Sequence, residues 1–281
     1  MRVQLPLALL AAACLVACAH LPSAGADDKK AAAPLSAAPV AAPDVHHPAG
    51  LPRASPPEPR SAPRSAVPVR RLVIGGSRQH RPIIAYEIGD RRLPSVLVVG
   101  CIHGSETAGV PVTRWLVAHA QSLPRVHLWV VPVLNPDGAA HGTRQNAAGV
   151  DLNRNFPYQW ELRNRGTPQD SGPRVLSEPE AQAMTGLVRS ARPTYGIWFH
   201  QALGVVDDSQ GTPAIEALFS RQLRLPERRL TDYHGSAVGW ENQLRPHSAF
   251  VVELRAGPLS GTDVRNAALA VIAAGRIAVA R

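Results

Sequence analysis

Three continuous apolar runs, Pro94-Ser-Val-Leu-Val-Val-Gly-Cys-Ile102, Val126 to Val133 and Thr194 to Phe199, most constrain what this chain can fold into. A strand with one face in water alternates apolar and polar residues, whereas a strand covered on both faces reads as an unbroken apolar run. Segments of helical spacing lie between and after these runs: Thr107 to Ala120, Ser177 to Ser190 opened by a Ser-x-x-Glu capping box, Pro213 to Arg221, and Thr262 to Val279. Arg71 to Gly75 and Pro82 to Glu87 read as two further strands joined by a short polar turn, and Ser248 to Glu253 as the last. Strands alternating with helices predict a single α/β domain, its mixed, mostly parallel central sheet covered by helices on both faces. No internal repeat is visible.

That domain is expected over residues 71–281, an ordinary length for one core. Residues 1–17 read as a signal segment with a basic start at Arg2 and an apolar core from Leu5 to Val16. Leu15-Val-Ala-Cys18 resembles a bacterial lipobox, which implies cleavage before Cys18 and lipidation of that cysteine. An ordinary secretory signal cut near Ala17 or Ala19 is the plainer alternative. Residues 18–70 are rich in Pro, Ala and Ser, have no strand or helix period and cannot bury enough apolar surface to offset chain entropy. They are expected to form a disordered tether, with a reach of about 3.1 Å per residue where it is polyproline-like. The chain is therefore expected to be exported, membrane-bound only through its anchor, and to face the periplasm from the outer membrane, or the outside of the plasma membrane where no outer membrane exists.

Apart from the N-terminal run, no stretch reaches the roughly eighteen apolar residues of a spanning helix, which excludes a multi-pass membrane protein. Three cysteines, two of them at positions 14 and 18, exclude a disulfide scaffold. Of the formal +9 charge, residues 1–70 hold seven Lys/Arg against four Asp/Glu and the remainder 23 against 17. The basic excess of the domain is scattered and no nucleic-acid motif accompanies it, so no nucleic-acid partner is expected. A monomer is expected.

In open α/β sheets, ligands bind beyond the carboxyl ends of the strands, so the polar residues there carry the argument. His103 and Glu106 follow the first buried strand, His200 follows Ile197-Trp-Phe, and Glu253 ends Ala249-Phe-Val-Val. In His103-Gly-Ser-Glu106 an imidazole and a carboxylate at i and i+3 can converge on one ion, and His200 supplies a second nitrogen. Two His and one Glu with an open position form an established catalytic zinc set. His-x-x-Glu alone occurs by chance in a chain with eleven histidines, and a surface turn is then the simpler reading.

Further segments decide between these readings. Gly100-Cys-Ile-His-Gly-Ser-Glu106, Asn135-Pro-Asp-Gly138, Gly149-Val-Asp-Leu-Asn-Arg-Asn-Phe-Pro157, Phe199-His-Gln201 and Glu253-Leu-Arg255 resemble, in order and spacing, the zinc carboxypeptidase family. The resemblance covers about Val73 to Leu269. The Thr143-Arg-Gln-Asn-Ala-Ala-Gly149 spacing and the short distance from His200 to Glu253 are most similar to its bacterial murein peptide amidase branch. No His-Glu-x-x-His occurs.

This resemblance implies one Zn2+ per chain held by His103, Glu106 and His200, where it would polarise the scissile carbonyl and acidify a bound water. It implies that Glu253 moves the water's proton to the leaving amine, that Arg144 stabilises the oxyanion, and that Asn153 and Arg154 grip the substrate's free carboxylate. Tyr233 loosely matches the family's mobile tyrosine, and Ala237 falls near the position that sets side-chain preference. The implied reaction is hydrolysis of a peptide or γ-glutamyl amide beside a free carboxylate, D-glutamyl-diaminopimelate in murein peptides above all. A pocket selecting diaminopimelate should offer an acid, and Asp207, Asp208 and Glu241 lie in the segment that would line it. Cys101, Trp198, Phe199 and Trp240 are read as core, and His119, His127, His141 and His247 as structural or solvated.

Three other functions stay open. A general metallocarboxypeptidase shares all of this chemistry. An N-acyl amino acid deacylase of the aspartoacylase type shares His-x-x-Glu and Asp-Leu-Asn-Arg, although Asn135-Pro-Asp-Gly138 and Asn155-Phe-Pro157 favour the peptidases. A wall-binding lipoprotein on a dead enzyme fold is disfavoured because ligands, base and arginines are all present. One departure from the resembling group is the export signal, since the characterised murein peptide amidases work inside the cell.

Overall fold

The computed structural model describes residues 66–231 and 233–279, and the signal segment, Cys18 and most of the tether lie outside them. Seven strands and six α-helices alternate in the order β1 Val69–Gly76, β2 Pro82–Gly89, β3 Ser95–Val99, α1 Gly109–Ala118, β4 His127–Val131, α2 Pro136–His141, α3 Pro179–Ala191, β5 Tyr195–Asp207, α4 Pro213–Leu223, β6 Glu227–Arg228, α5 Ala237–Leu244, β7 Ala249–Arg255 and α6 Gly261–Val279. Among the described residues no helix is long and apolar enough to cross a membrane.

β1 and β2 form an antiparallel hairpin, β2 runs antiparallel to β4, and β3 pairs in parallel with β4 on one side and β5 on the other. β7 aligns in parallel with β5 from Gly196↔Ala249 to Ala202↔Arg255. Beyond Ala202 the register reverses, with Val205↔Glu253 and Val206↔Val252, so the second half of β5 returns along the other edge of β7. Its last residues then pair with β6.

The unbroken apolar runs explain why both faces are covered. Val96 and Val98 of β3 pack with Val112 and Leu116 of α1, Ile215 and Phe219 of α4, and the alanine-rich face of α6. Their alternates Leu97 and Val99 pack with Met184 and Val188 of α3 and Trp240 of α5. Burying a side chain of this size contributes roughly 1.5–3 kcal/mol, and all four β3 valines and leucines are essentially inaccessible.

Two expectations need correction. α3 has no capping box: Glu178 is its N-cap residue without a side-chain cap, Ser177 Oγ donates to Glu178 Oε1, and Glu180 accepts from Arg78 N and Asn146 Nδ2. The strand expected to end at Phe199 continues to Asp207, because the exposed Ala202 and Leu203 carry the chain over the end of β7 rather than out of the sheet.

Candidate active site

Four pieces of chain meet at the carboxyl edge of the sheet: the loop after β3, the segment after β4, and the ends of β5 and β7. The turn at His103-Gly104 is pressed against α2. A Cβ on Gly104 would fall 1.9 Å from the Gly138 carbonyl carbon, so neither segment tolerates a side chain there. The Asn135-Pro-Asp-Gly138 motif is the scaffold for this approach. Asn135 caps α2 by accepting from Gly138 N at 2.9 Å and donates to the Arg144 carbonyl, while buried Asp137 ties in the β1–β2 turn through Ser77 Oγ and Gln79 N.

His103, Glu106 and His200 are all buried, with one potential ligand atom from each lying within 4.8 Å of the others. Glu106 Oε2 accepts from His200 Nδ1 at 2.9 Å and from Gln201 N at 3.2 Å. His103 Nε2 faces Asp151 Oδ1 at 2.9 Å, which leaves Nδ1 turned inward. That nitrogen is 2.9 Å from Glu106 Oε1 but misaligned for a hydrogen bond, and it is a buried polar atom with no partner. A nitrogen orphaned beside a carboxylate and a second imidazole suits a metal ion, and two His with one Glu is a zinc donor set. Burial works to raise the Glu106 pKa, but the two imidazoles beside it, His200 by a hydrogen bond and His103 by close approach, outweigh it and hold the carboxyl well below its ordinary value.

Glu253 lies beside His200 across the β5–β7 ladder. Burial pushes its carboxyl above the ordinary value, against the pull of His200 and of the Leu203 N–H. Arg144 reaches in from the other side, with Nη1 2.8 Å from Glu106 Oε1 and Nε 3.0 Å from Asp151 Oδ2. Asn153 accepts from Ala237 N at 2.9 Å, and Arg154 donates to the Asn153 carbonyl at 2.8 Å. The Arg154 guanidinium carbon lies 4.2 Å from the ring centroid of Tyr233, itself about half exposed. This packing depends on Gly235, whose Cβ would fall 2.1 Å from the Arg154 carbonyl oxygen.

The expected ligands His103, Glu106 and His200, together with Glu253, Arg144, Asn153, Arg154 and Tyr233, therefore line one cavity of about 520 Å³. Cys18 lies outside the described residues. Of the three pocket acids, Asp207 lines the cavity and the exposed Asp208 does not. Glu241 is a correction: it is buried under the sheet, accepts from Trp198 Nε1 at 2.9 Å, and does not reach the site. Ala237 is also buried away from the cavity, and Ser236 lines it instead.

Sequence reasoning passed over Asp151, fully buried and bonded to both His103 and Arg144. Its signal was its place two residues before Asn153, where it also caps the short 3-10 turn Leu152–Arg154. It missed Gln201 as well, which ties the Glu106 loop down by accepting from Ala108 N. Cys101 is buried, its thiol pushed by burial up to about 12, consistent with a packing role.

The zinc carboxypeptidase family pattern matches residues 66–206. Murein peptide amidase A of Escherichia coli K12 is 32% identical over 201 residues, covering 66% of this chain and 82% of that protein. Gamma-D-glutamyl-L-diamino acid endopeptidase 1 of Lysinibacillus sphaericus is 32% identical over 152 residues, 48% of this chain and 38% of that one. The crystal structure of the murein-tripeptide amidase of Escherichia coli O157 superposes with a TM-score of 0.59 at 26% identity, covering 75% of this chain and 96% of that chain. With the fold, the cavity and these matches together, the chain belongs to the zinc carboxypeptidase family and is a zinc metallopeptidase.

Proposed function

We propose that this peptidase hydrolyses the amide between D-glutamate and diaminopimelate in murein peptides, using one zinc per chain held by His103, Glu106 and His200. The observation that carries the reading is the single cavity in which this trio, Glu253, Arg144 and the Asn153–Arg154 pair all present side chains. The names of the matched murein peptide amidase and γ-D-glutamyl endopeptidase support the substrate class.

A zinc ion in that trio supplies Lewis acidity to the scissile carbonyl and to a water. Glu253 accepts the proton of the attacking water and delivers it to the departing amine, a task favoured by its raised pKa. Arg144 brings a fixed positive charge to the carbonyl oxygen as negative charge develops there. Arg154 offers a planar fork to the free carboxylate of the leaving residue, with Asn153 beside it. Asp151 holds His103 in the orientation that keeps Nδ1 inward.

The reading extends to location. The Leu15-Val-Ala-Cys18 segment and the Pro/Ala-rich stretch after it support a lipid-anchored enzyme facing the periplasm, acting on wall-derived peptides before uptake. Incubation of the purified protein with L-alanyl-γ-D-glutamyl-meso-diaminopimelate and with unmodified L-peptides, followed by mass spectrometry, tests the substrate. Release of free diaminopimelate is expected. Trimming of L-peptides with the murein tripeptide left intact would replace this reading by a general carboxypeptidase.

A further inference from the structure

The far wall of the catalytic cavity carries two opposite charges that the hydrolytic chemistry does not use. Asp207, at the end of β5, lines the cavity although only 5% of it is accessible. Its hydrogen bonds from the backbone N–H groups of Ser209 (3.0 Å) and Leu230 (3.1 Å) both fall on Oδ1. The carboxylate is thereby fixed in place with Oδ2 left for a ligand. Arg229, next in chain to Leu230, also lines the cavity, and among the described residues it forms neither an ion pair nor a side-chain hydrogen bond. Asp207 and Arg229 are thus neighbours by way of the Leu230 amide, yet they do not neutralise each other.

The cavity does not end at this pair. A second cavity of about 340 Å³ adjoins it, and Gln210, Arg229 and Leu230 line both. Ser209 lines the second one, and its Oγ is a buried polar atom without a partner. A buried carboxylate with one oxygen uncommitted and a buried hydroxyl without a partner are costly to leave unmatched, and an exposed guanidinium that no other side chain of the described residues holds stands at the same opening.

We infer that Asp207, Arg229 and Ser209 form a paired-charge subsite that receives a leaving-residue side chain ending in both an ammonium and a carboxylate. The ammonium meets Asp207 Oδ2, and the distal carboxylate meets Arg229 and the Ser209 hydroxyl. A lysine side chain satisfies only the acid and a 2-aminopimelate side chain only the arginine. Diaminopimelate satisfies both, whereas 2-aminopimelate leaves the buried Asp207 carboxylate without a partner and lysine forgoes the pair with the exposed Arg229. This inference rests on the substrate class proposed above and deepens it by naming the groups that read the distal end of the leaving residue.

The test compares kcat/KM for γ-D-glutamyl peptides ending in meso-diaminopimelate, lysine, 2-aminopimelate and alanine, in wild type, Asp207→Asn and Arg229→Gln. Wild type should prefer diaminopimelate over either single-charge analogue by about tenfold or more. Asp207→Asn should collapse the diaminopimelate-to-aminopimelate ratio and Arg229→Gln the diaminopimelate-to-lysine ratio. Asn can still accept the two backbone N–H groups, and Arg229→Gln removes no structural contact, so the pair of variants remains informative even if one misfolds. The same four leaving residues on a benzoylglycyl acyl group separate this inference from the proposed substrate. Preference for diaminopimelate there, with no cleavage of γ-D-glutamyl peptides, would retain the subsite and discard the murein reading. Calorimetry with free diaminopimelate, lysine and 2-aminopimelate gives the same comparison without turnover. Equal wild-type affinities and rates for the three charged ligands, or a preference that survives both substitutions, would overturn the subsite.

Discussion

His200 and Glu253 are register partners on the neighbouring parallel strands β5 and β7, so the sheet itself sets the proposed third zinc ligand beside the proposed general base. Strand neighbours of this kind cannot drift apart without breaking the ladder on both sides, because Val205 pairs with Glu253 from its other edge. Glu253→Gln keeps the shape of the side chain but cannot accept the water's proton. Its turnover should fall by about 10² to 10⁴ with zinc content unchanged. Steady-state kinetics with elemental analysis check this, and a variant within about threefold of wild type would remove Glu253 from the mechanism.

Asp151 fixes His103 through a 2.9 Å contact at Nε2 and holds Arg144 at the same time. Asp151→Asn preserves the hydrogen-bond capacity that caps the 3-10 turn but removes the charge behind the imidazole. Zinc affinity should weaken by about 10- to 100-fold, read by competition with a chromogenic chelator. Unchanged affinity would make Asp151 a folding residue only.

Arg154 is paired with the Asn153 carbonyl and stacked on Tyr233, leaving its guanidinium at the cavity wall. Arg154→Ala should raise KM about ten- to several hundred-fold, as expected for loss of a charge-assisted pair worth roughly 1.5–3 kcal/mol, while affecting kcat much less. A drop in kcat at constant KM would assign Arg154 to the chemical step instead.

Much of this arrangement was legible in the sequence because it rests on local signals. Unbroken apolar runs marked β3, β4 and the first half of β5, and the polar residues that follow the first and third of these runs and end β7 marked the site edge. What stayed hidden depends on tertiary contacts. α2 is only six residues long and carries Gly138, a poor helix residue by propensity, and it exists because Asn135 caps it, Pro136 starts it at a position where proline is favoured, and Gly104 packs on it. Ser177 and Glu180 carry a capping-box pattern, but a buried network with Arg78, Asn146 and Glu178 uses their side chains differently. Asp207 and Glu241 are equivalent as sequence, yet the path of β5 puts one on the cavity wall and the packing of α5 buries the other beside Trp198.

Buried Glu241 has one oxygen without a partner, and burial pushes its carboxyl up to about 7, with the Trp198 hydrogen bond acting weakly the other way. An acid whose folded value exceeds its unfolded value near 4.5 costs nothing below that range, destabilises the fold as pH rises from there to about 7, and adds no further slope above it. The loss for this group is on the order of 3 kcal/mol. Glu216 is also pushed up to about 7 by burial and adds to the same slope. Glu241→Gln should therefore flatten, without abolishing, the decline in unfolding free energy between about pH 5 and 8 measured by urea titration. An unchanged slope would mean that Glu241 is ionised or solvated in the native protein.

The central claim, that catalysis runs at one zinc held by His103, Glu106 and His200, is tested most directly by elemental analysis of the purified protein beside His200→Ala. One zinc per wild-type chain is predicted, and its loss from the variant, since removing one of three ligands leaves an incomplete site. Stoichiometric zinc retained in His200→Ala, or a wild-type protein that takes up none, would contradict the account.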